Sequence, residues 1–305
     1  MEHSNNTHVC EICGGRDWSS VFSGPIRHGS FGSTTAEDHT IYQCNGCAVQ
    51  RLEESACKDD SFYAGKKYRE LLGEAADAEG FWQKHDIHQI RNLNVIWPCT
   101  IRNKVVADIG CAAGSFLDHI SGLAKTCLAV EPCEEYHDSL EQRGYSVYHS
   151  TAHVLKEFAG QVDFVFSYST VEHIGNPFEF FSEIRQLLRP DGFFLVSTPN
   201  RNDILMDLLG DEYKQFFYRT VHRWYFDMDS MINLAGRCRF EIVEKRCLHR
   251  FGISNTLAWL RDRKPTGDQP LPILDDPLLN EFWKNYLESK DAGDYLYLLL
   301  KRGEE

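Results

Sequence analysis

Between residues 104 and 200 the sequence alternates, almost without interruption, between short β-rich runs and amphipathic helical stretches. KVVADI leads to SFLDHISGLA, CLAVE to CEEYHDSLEQR, YSVYH to AHVLKEFA, VDFVFSYS to PFEFFSEIRQLL, and the series closes on GFFLVSTPN. Strands separated by helices in this way require crossover connections, which are right-handed and build a parallel sheet covered on both faces. The pattern predicts a doubly wound α/β domain. Two later β-rich runs, FEIVEKRCL at 240–248 and DYLYLLLKR at 294–302, bring the expected sheet to seven mostly parallel strands. In LRPDGFF, Pro190, Asp191 and Gly192 suit a tight reversal into the next strand. Phe178, Phe181, Ile184 and Leu188 recur at helical spacing and are expected in the core.

Upstream, residues 61–97 read as helical, with Ile87, Ile90, Leu93 and Trp97 on one face. The first fifty residues carry two C-x-x-C pairs, Cys10/Cys13 and Cys44/Cys47, each followed by Gly or small residues that permit a tight turn. Two such knuckles can bring four thiolates to the corners of a tetrahedron, the geometry of a structural zinc ion with no position left open for water. Two disulfides or a redox C-x-x-C are the alternatives, and both fit a cytosolic chain less well. WSSVF and TIYQC between the pairs suit the short strands of a zinc ribbon. The expected segments are a zinc-binding ribbon at 1–56, a helical cap at 57–100, and an α/β domain at 101–305. An insertion at 252–292, too long for a plain connection, is expected to form a lid or an interface.

The stretch VVADIGCAAGSFLD, 105–118, has the grammar of a nucleotide-binding loop, but a dinucleotide loop G-x-G-x-x-G needs its middle glycine for the approach of a pyrophosphate. Aligned on Gly110, this sequence offers Ala112 and Ser115 at the second and third glycine positions. What remains is Asp108 at the strand end, Gly110 and Gly114 for a close turn, and free N–H groups at the start of a helix. That set suits the amino-acid end of S-adenosylmethionine, which has a carboxylate and an ammonium and no phosphate. Glu131 ends the second strand, where a carboxylate can accept both ribose hydroxyls.

Composition narrows the remaining choices. A formal charge of −13 and the lack of a basic run argue against a nucleic-acid partner, leaving a small-molecule substrate as the expectation. No apolar run is long enough for a membrane span, and MEHSNNTHVC has neither the basic nor the apolar region of a signal peptide, so a cytoplasmic location is expected. Eleven cysteines cannot all pair. The seven outside the two knuckles (Cys57, Cys99, Cys111, Cys127, Cys133, Cys238, Cys247) lie scattered in mostly apolar surroundings, as reduced core thiols do. A homo-oligomer is compatible with all of this.

The combination D-I-G-C-A-A-G-S-F-L, A-V-E-P, V-E-H-I-x-x-P, L-L-R-P-D-G-F-F and S-T-P-N resembles class I S-adenosylmethionine-dependent methyltransferases over roughly residues 104–200. With the cysteine module upstream, the chain looks like the bacterial members that modify nucleotide-linked deoxysugars or the sugars of surface polysaccharides. The resemblance implies a Rossmann-like fold. It places Asp108, Gly110, Cys111, Ala112, Gly114 and Phe116 around the methionine end of the cofactor, and Glu131 with Pro132 at the ribose. It also puts Ala152 near the adenine, Ser167 and Tyr168 beside the methionine part, and Tyr68 and Arg69, with Tyr63, over the cofactor. Cys111 itself reads as a small apolar filler. The sugar C-methyltransferases of this group carry a further C-terminal domain, for which no counterpart is visible, so transfer to a hydroxyl oxygen is expected rather than to carbon.

Methyl transfer is an in-line displacement at an activated sulfonium, so the protein aligns the partners, excludes water and removes a proton from the acceptor. The resemblance places the carboxyl end of the fourth strand opposite the methyl group, with Glu172 and His173 just past it. His173 is a candidate base, since an ordinary imidazole titrates near neutral pH; capping of the next helix is its bland alternative. His222 in TVHRWYF is the second candidate, against a packed structural histidine. Glu172 reads as a structural or cofactor-side acceptor. Arg27, Arg219 and Arg223 could pair with a diphosphate or an acidic sugar through their planar guanidinium groups, though solvated surface arginines are commoner. The leading expectation is O-methylation of a sugar hydroxyl. A quinone, polyketide or other secondary metabolite is the alternative acceptor, and a non-catalytic S-adenosylmethionine-binding protein is the alternative class.

Overall fold

The computed structural model describes residues 8–74, 77–96, 101–265 and 271–304. Trp97 and Cys99 lie outside them. The strands are β1 (Trp18–Gly24), β2 (His39–Cys44), β3 (Gln50–Leu52), β4 (Val105–Ile109), β5 (Thr126–Val130), β6 (Ser146–Tyr148), β7 (Val162–Tyr168), β8 (Leu188–Pro199), β9 (Trp224–Tyr225), β10 (Phe240–Leu248) and β11 (Tyr295–Arg302). The helices are α1 (Asp60–Tyr63), α2 (Lys67–Leu71), α3 (Ala78–Val95), α4 (Ser115–Ile120), α5 (His137–Gln142), α6 (Thr151–Phe158), α7 (Pro177–Leu187), α8 (Ile204–Leu209), α9 (Asp211–Phe217), α10 (Met228–Arg237), α11 (Ile253–Asp262) and α12 (Pro277–Glu288). They assemble into two compact units. One comprises 59–197, 235–244 and 298–305; the other joins 1–58 to 198–234 and 245–297.

The seven runs that the sequence pattern singles out form a seven-stranded sheet of order β10-β11-β8-β7-β4-β5-β6, with β4, β5, β6 and β7 wholly in the first unit. β6, β5, β4, β7 and β8 are mutually parallel along that order. Val106, Ala107, Leu128, Ala129, Val165 and Phe166 are wholly or almost wholly buried, as strands covered on both faces must be. The chain leaves β4 toward β5 on one side, while β7 lies on its other side. This reversal of winding opens a crevice at the carboxyl ends of β4 and β7, where open α/β sheets bind ligands.

Two local expectations change. The reversal at Pro190–Gly192 does not separate α7 from the strand; it lies inside β8 as an irregularity, with Val162 opposite Leu188 and Phe164 already opposite Phe193. The extra residues are absorbed as a bulge. In α3 the buried residues are Phe81, Asn92 and Val95, because that side packs on α4, whereas Ile87 and Ile90 are 66% and 53% exposed. Phe181 and Ile184 of α7 and Leu188 at the start of β8 are core as expected, and Phe178 is half-buried.

In the second unit the expected ribbon strands form, β1 pairing antiparallel with β2 and β2 with β3. Distant sequence completes this sheet: β9 adds to β3 with Gln50 opposite Tyr225 and Arg51 opposite Trp224. Phe22, Ile26, Ile41 and Leu52 from the N-terminal segment share a core with Tyr218 and Tyr225. The 252–292 segment contributes α11 and α12, and Trp259 of α11 packs in a second cluster with Leu205, Leu209 and Tyr213. No helix among the described residues is long and apolar enough to cross a membrane.

Candidate functional site

The loop after β4 turns through three left-handed residues, Gly110 at φ 78°, Ala112 at φ 48° and Gly114 at φ 77°. Two of them must be glycine. A Cβ on Gly110 would stand 2.3 Å from Thr170 Oγ1, and one on Gly114 would stand 2.6 Å from Leu140 Cδ2. Ala112 carries its methyl group in a buried position, and its N–H donates to Glu131 Oε2 at 2.7 Å. The middle position thus stitches the loop to β5, which a small side chain does not hinder. Thr170 and Ser167 hold the other flank, their hydroxyls donating to the Ile109 carbonyl at 3.2 and 3.1 Å.

Trp82, Arg143 and Thr170 are loop-positioning residues that sequence reasoning missed. Trp82 Nε1 and Arg143 Nη2 both donate to the Ala113 carbonyl, at 3.0 and 2.6 Å, and Arg143 lies over the Trp82 ring. Arg143 is in turn bound to Asp118. None belongs to a motif, and only contacts across 30 or more residues of sequence identify them.

Glu131 is 5% exposed, and its second oxygen accepts from Cys133 N at 2.8 Å. A carboxylate oxygen accepts two bonds, so each keeps one place for a ribose hydroxyl. Burial raises the Glu131 pKa, and the Arg69 guanidinium opposes the rise. Arg69 packs against the rings of Tyr68, Phe81 and Tyr136, with centroids 5.1, 5.0 and 5.9 Å away, and pairs with Glu74 at 3.0 Å. Burial opposes ionisation of Glu74, but His85, Lys84 and Arg69 outweigh it and hold its pKa at about 2. Asp108 is 3% exposed, and its carboxyl accepts no hydrogen bond from any described residue. Burial, with the Glu131 charge added, pushes its pKa up to about 8. The buried Ser115 hydroxyl at the start of α4 also lacks a partner among the described residues. Two bare glycines, an unpartnered buried carboxyl and an orphaned hydroxyl fit an amino-acid-like ligand with an ammonium group.

His173 follows β7, its N–H donating to the Thr170 carbonyl. The rings of Tyr63 and Tyr68 meet it edge-on at 5.3 and 5.6 Å, and Tyr68 Oη lies 3.5 Å from His173 Nε2. The structure therefore joins two sites that are over a hundred residues apart in sequence, the tyrosines of α1 and α2 and the histidine after β7. Glu172 beside it is 1% exposed. Other expected residues have different surroundings. Phe116 is buried edge-on against Phe166 and Tyr168, a core position under the loop. Cys111 is buried with its Sγ on the Ala112 carbonyl, and burial raises its pKa. Ser167 spends its hydroxyl on Ile109, Tyr168 and Pro132 are partly buried, and Ala152 is an exposed residue in the first turn of α6.

His222 belongs to the ribbon unit, ahead of β9. It is 4% exposed and its Nε2 accepts from Arg219 Nη1 at 3.0 Å. Arg223 lies 3.5 Å from Glu54. The four ribbon cysteines come together as the spacing predicts, their Sγ atoms all within 4.8 Å of one another. Cys10 and Cys47 are 3.7 Å apart, Cys13 and Cys44 3.4 Å. A disulfide needs about 2.05 Å, whereas Zn–S bonds of about 2.3 Å place tetrahedral sulfurs roughly 3.8 Å apart. The cluster fits a metal, and all described cysteines are free thiols. Each knuckle turns back through its carbonyl, Gly14 N donating to Cys10 O and Ala48 N to Cys44 O. Gly15 N also donates to Cys13 Sγ.

With this geometry in view, a family model described as "Methyltransferase domain" matches residues 81–245, just over half of the chain. Curated relatives include the ubiquinone biosynthesis O-methyltransferase of Dinoroseobacter shibae, 27% identical over 152 residues, covering 46% of this chain and 61% of that protein. The protein of the same name from Ruegeria pomeroyi is 27% identical over 165 residues, covering 50% and 64%. The chain thus spans less than two thirds of these relatives' length. In fold it is similar to a SAM-dependent methyltransferase from Archaeoglobus fulgidus, with TM-score 0.50, 16% identity, and coverage of 72% of this chain and 94% of that one. It is also similar to one chain of a Haloferax volcanii complex between the Trm112 methyltransferase activator and a methyltransferase, with TM-score 0.51, 13% identity, and coverage of 74% and 94%.

Proposed function

This chain belongs to the methyltransferase-domain family, and we propose that it transfers the methyl group of S-adenosylmethionine to a hydroxyl oxygen of a small acceptor, a phenolic or quinol ring before a sugar. The observation that carries the activity is the loop of Gly110 and Gly114 at the sheet's switch point, with the unpartnered Asp108 carboxyl on one side and Glu131 on the other. The names of the sequence relatives support the ring acceptor over the sugar that the sequence favoured. One observation keeps a sugar hydroxyl as the second reading: the four-cysteine cluster, on which the resemblance to sugar methyltransferases rests.

S-adenosylmethionine, when bound, supplies a methyl group activated on a sulfonium. The chain's own residues do the rest in this reading. Asp108 would pair with the ammonium of the amino-acid end, Glu131 would accept the ribose hydroxyls, and His173 would take the proton of the acceptor hydroxyl. Tyr63 and Tyr68 fix the imidazole plane. Replacing His173 by alanine is expected to lower turnover about 10²- to 10⁴-fold, the usual weight of a positioned acid–base group, with affinity for S-adenosylhomocysteine unchanged. Labelled S-adenosylmethionine offered with catechols and demethylated quinols on one side, and nucleotide sugars on the other, tests the acceptor. Label in the phenols supports the ring reading, label in the sugars replaces it with the second, and label in neither removes both.

Asp108 gives the site a pH signature. Its raised pKa means that the folded protein binds more protons than the unfolded chain between about pH 4 and 8, so this group makes the free protein less stable as pH climbs through that window. Pairing with an ammonium requires the proton to leave. Affinity for S-adenosylhomocysteine should therefore rise between about pH 6 and 8 by up to tenfold per unit, and Asp108→Asn should flatten the profile. Calorimetry in buffers of different ionisation enthalpy reads the released proton; a flat wild-type profile removes Asp108 from the ammonium's partners.

A further inference from the structure

Arg27 is a buried cation that the methyl-transfer reading does not use. It is 6% exposed, and it makes no ion pair or side-chain hydrogen bond with any described residue. Its Nε is buried without a partner. Its backbone is fixed, Arg27 N donating to Tyr218 O at 2.9 Å and Arg27 O accepting from Thr220 N at 3.1 Å. The guanidinium carbon lies 4.4 Å from the centroid of Phe216 and 5.3 Å from that of Phe31. Desolvating a cation is costly, and a ring face returns only a small part of that cost. An anion would close that gap.

The surroundings supply a place for one. Arg27 lines a cleft of about 140 Å³ within the ribbon unit, with Thr34, Phe216, Trp259, Arg263 and Lys264 among its walls. Three cations face one carboxylate there, since Glu212 also lines the cleft and lies 3.2 Å from Arg263. A cavity of about 150 Å³ takes a molecule the size of benzene, so the volume suits a group of several heavy atoms. Carboxylate and phosphoryl groups both satisfy a guanidinium fork. The added ammonium of Lys264 and the hydroxyls of Ser33 and Thr34 favour the group with more acceptor oxygens.

We infer that this cleft is an anion site, taking the phosphate or diphosphate group of a small molecule on Arg27. The site lies wholly in one unit and does not depend on the proposed methyl transfer. Titration calorimetry of the full chain with inorganic phosphate, inorganic pyrophosphate and a nucleoside diphosphate tests it. Saturable one-to-one binding is expected, weakened about tenfold or more in Arg27→Met and by a smaller factor in Lys264→Ala. Lys264 is exposed, so its variant keeps the test valid if Arg27→Met fails to fold, which thermal unfolding would reveal. Tighter binding of the nucleotide than of pyrophosphate identifies a carried diphosphate, and equal binding identifies the free anion. Absence of saturable binding to all three probes, or variants that bind as the wild type does, overturns the inference.

Discussion

Alanine at position 110 is expected to weaken S-adenosylhomocysteine binding about a hundredfold or more and to lower the melting temperature. Two costs coincide there. A left-handed φ of 78° is unfavourable by about 1 to 2 kcal/mol for a residue with a Cβ, and that Cβ would stand 2.3 Å from Thr170 Oγ1. No real contact survives at that distance, so the loop must shift, and Thr170 loses its bond to Ile109. A second substitution separates the terms. Thr170→Ala removes the obstructing hydroxyl, so the Gly110→Ala/Thr170→Ala double variant should regain part of the affinity, leaving the dihedral cost and the lost hydroxyl contact. Ala112→Gly is the control: it relieves a left-handed alanine at φ 48° and should bind at least as well as the wild type. Calorimetry on the four proteins checks the order. Wild-type affinity in Gly110→Ala would show that the loop does not hold the cofactor.

Cys44→Ser is expected to release one zinc ion per chain and to unfold the ribbon unit by several kcal/mol, a share of the large free energy that structural zinc contributes to small folds. The effect should spread beyond the N-terminal segment. Ile41 and Leu52 share a core with Tyr218 and Tyr225, and β3 is hydrogen-bonded to β9, so loosening the knuckles exposes residues from the 198–234 stretch as well. Hydrogen exchange should therefore rise at Trp224 and Tyr225 in Cys44→Ser, while the β4 and β7 amides stay protected. Atomic emission on the purified protein, with melting before and after chelation, checks the metal itself. A wild-type protein that carries no metal and melts unchanged in chelator would end the zinc assignment.

Much of the candidate site was legible along the chain because its parts are local. The strand–turn–helix around 105–118 and the acid at the end of the next strand are separated only by one crossover, and hydrophobic periodicity marks both. Even there the reason for Ala112 changes. Read as sequence, the position lacked a pyrophosphate to approach; in the fold its N–H is one of two that hold the Glu131 carboxylate. The resemblance put Phe116 and Ser167 beside the cofactor, and the fold adds what the sequence could not show: the Phe116 ring is buried under the loop and the Ser167 hydroxyl ties β7 to β4.

The sequence by itself determined the seven sheet strands, the order of strand and helix, the two glycines and acids of the loop, and the four cysteines. Each is written in periods or spacings of a few residues, where backbone geometry leaves few options. Tertiary structure alone decided what lies across long loops. It joined 198–234 and 245–297 to the ribbon, set Tyr63 and Tyr68 against His173, hung the Ala113 carbonyl on Trp82 and Arg143, and buried Arg27 beside Phe216. Such contacts depend on which apolar faces meet when the chain collapses, and side-chain packing has no period along the sequence from which to read them.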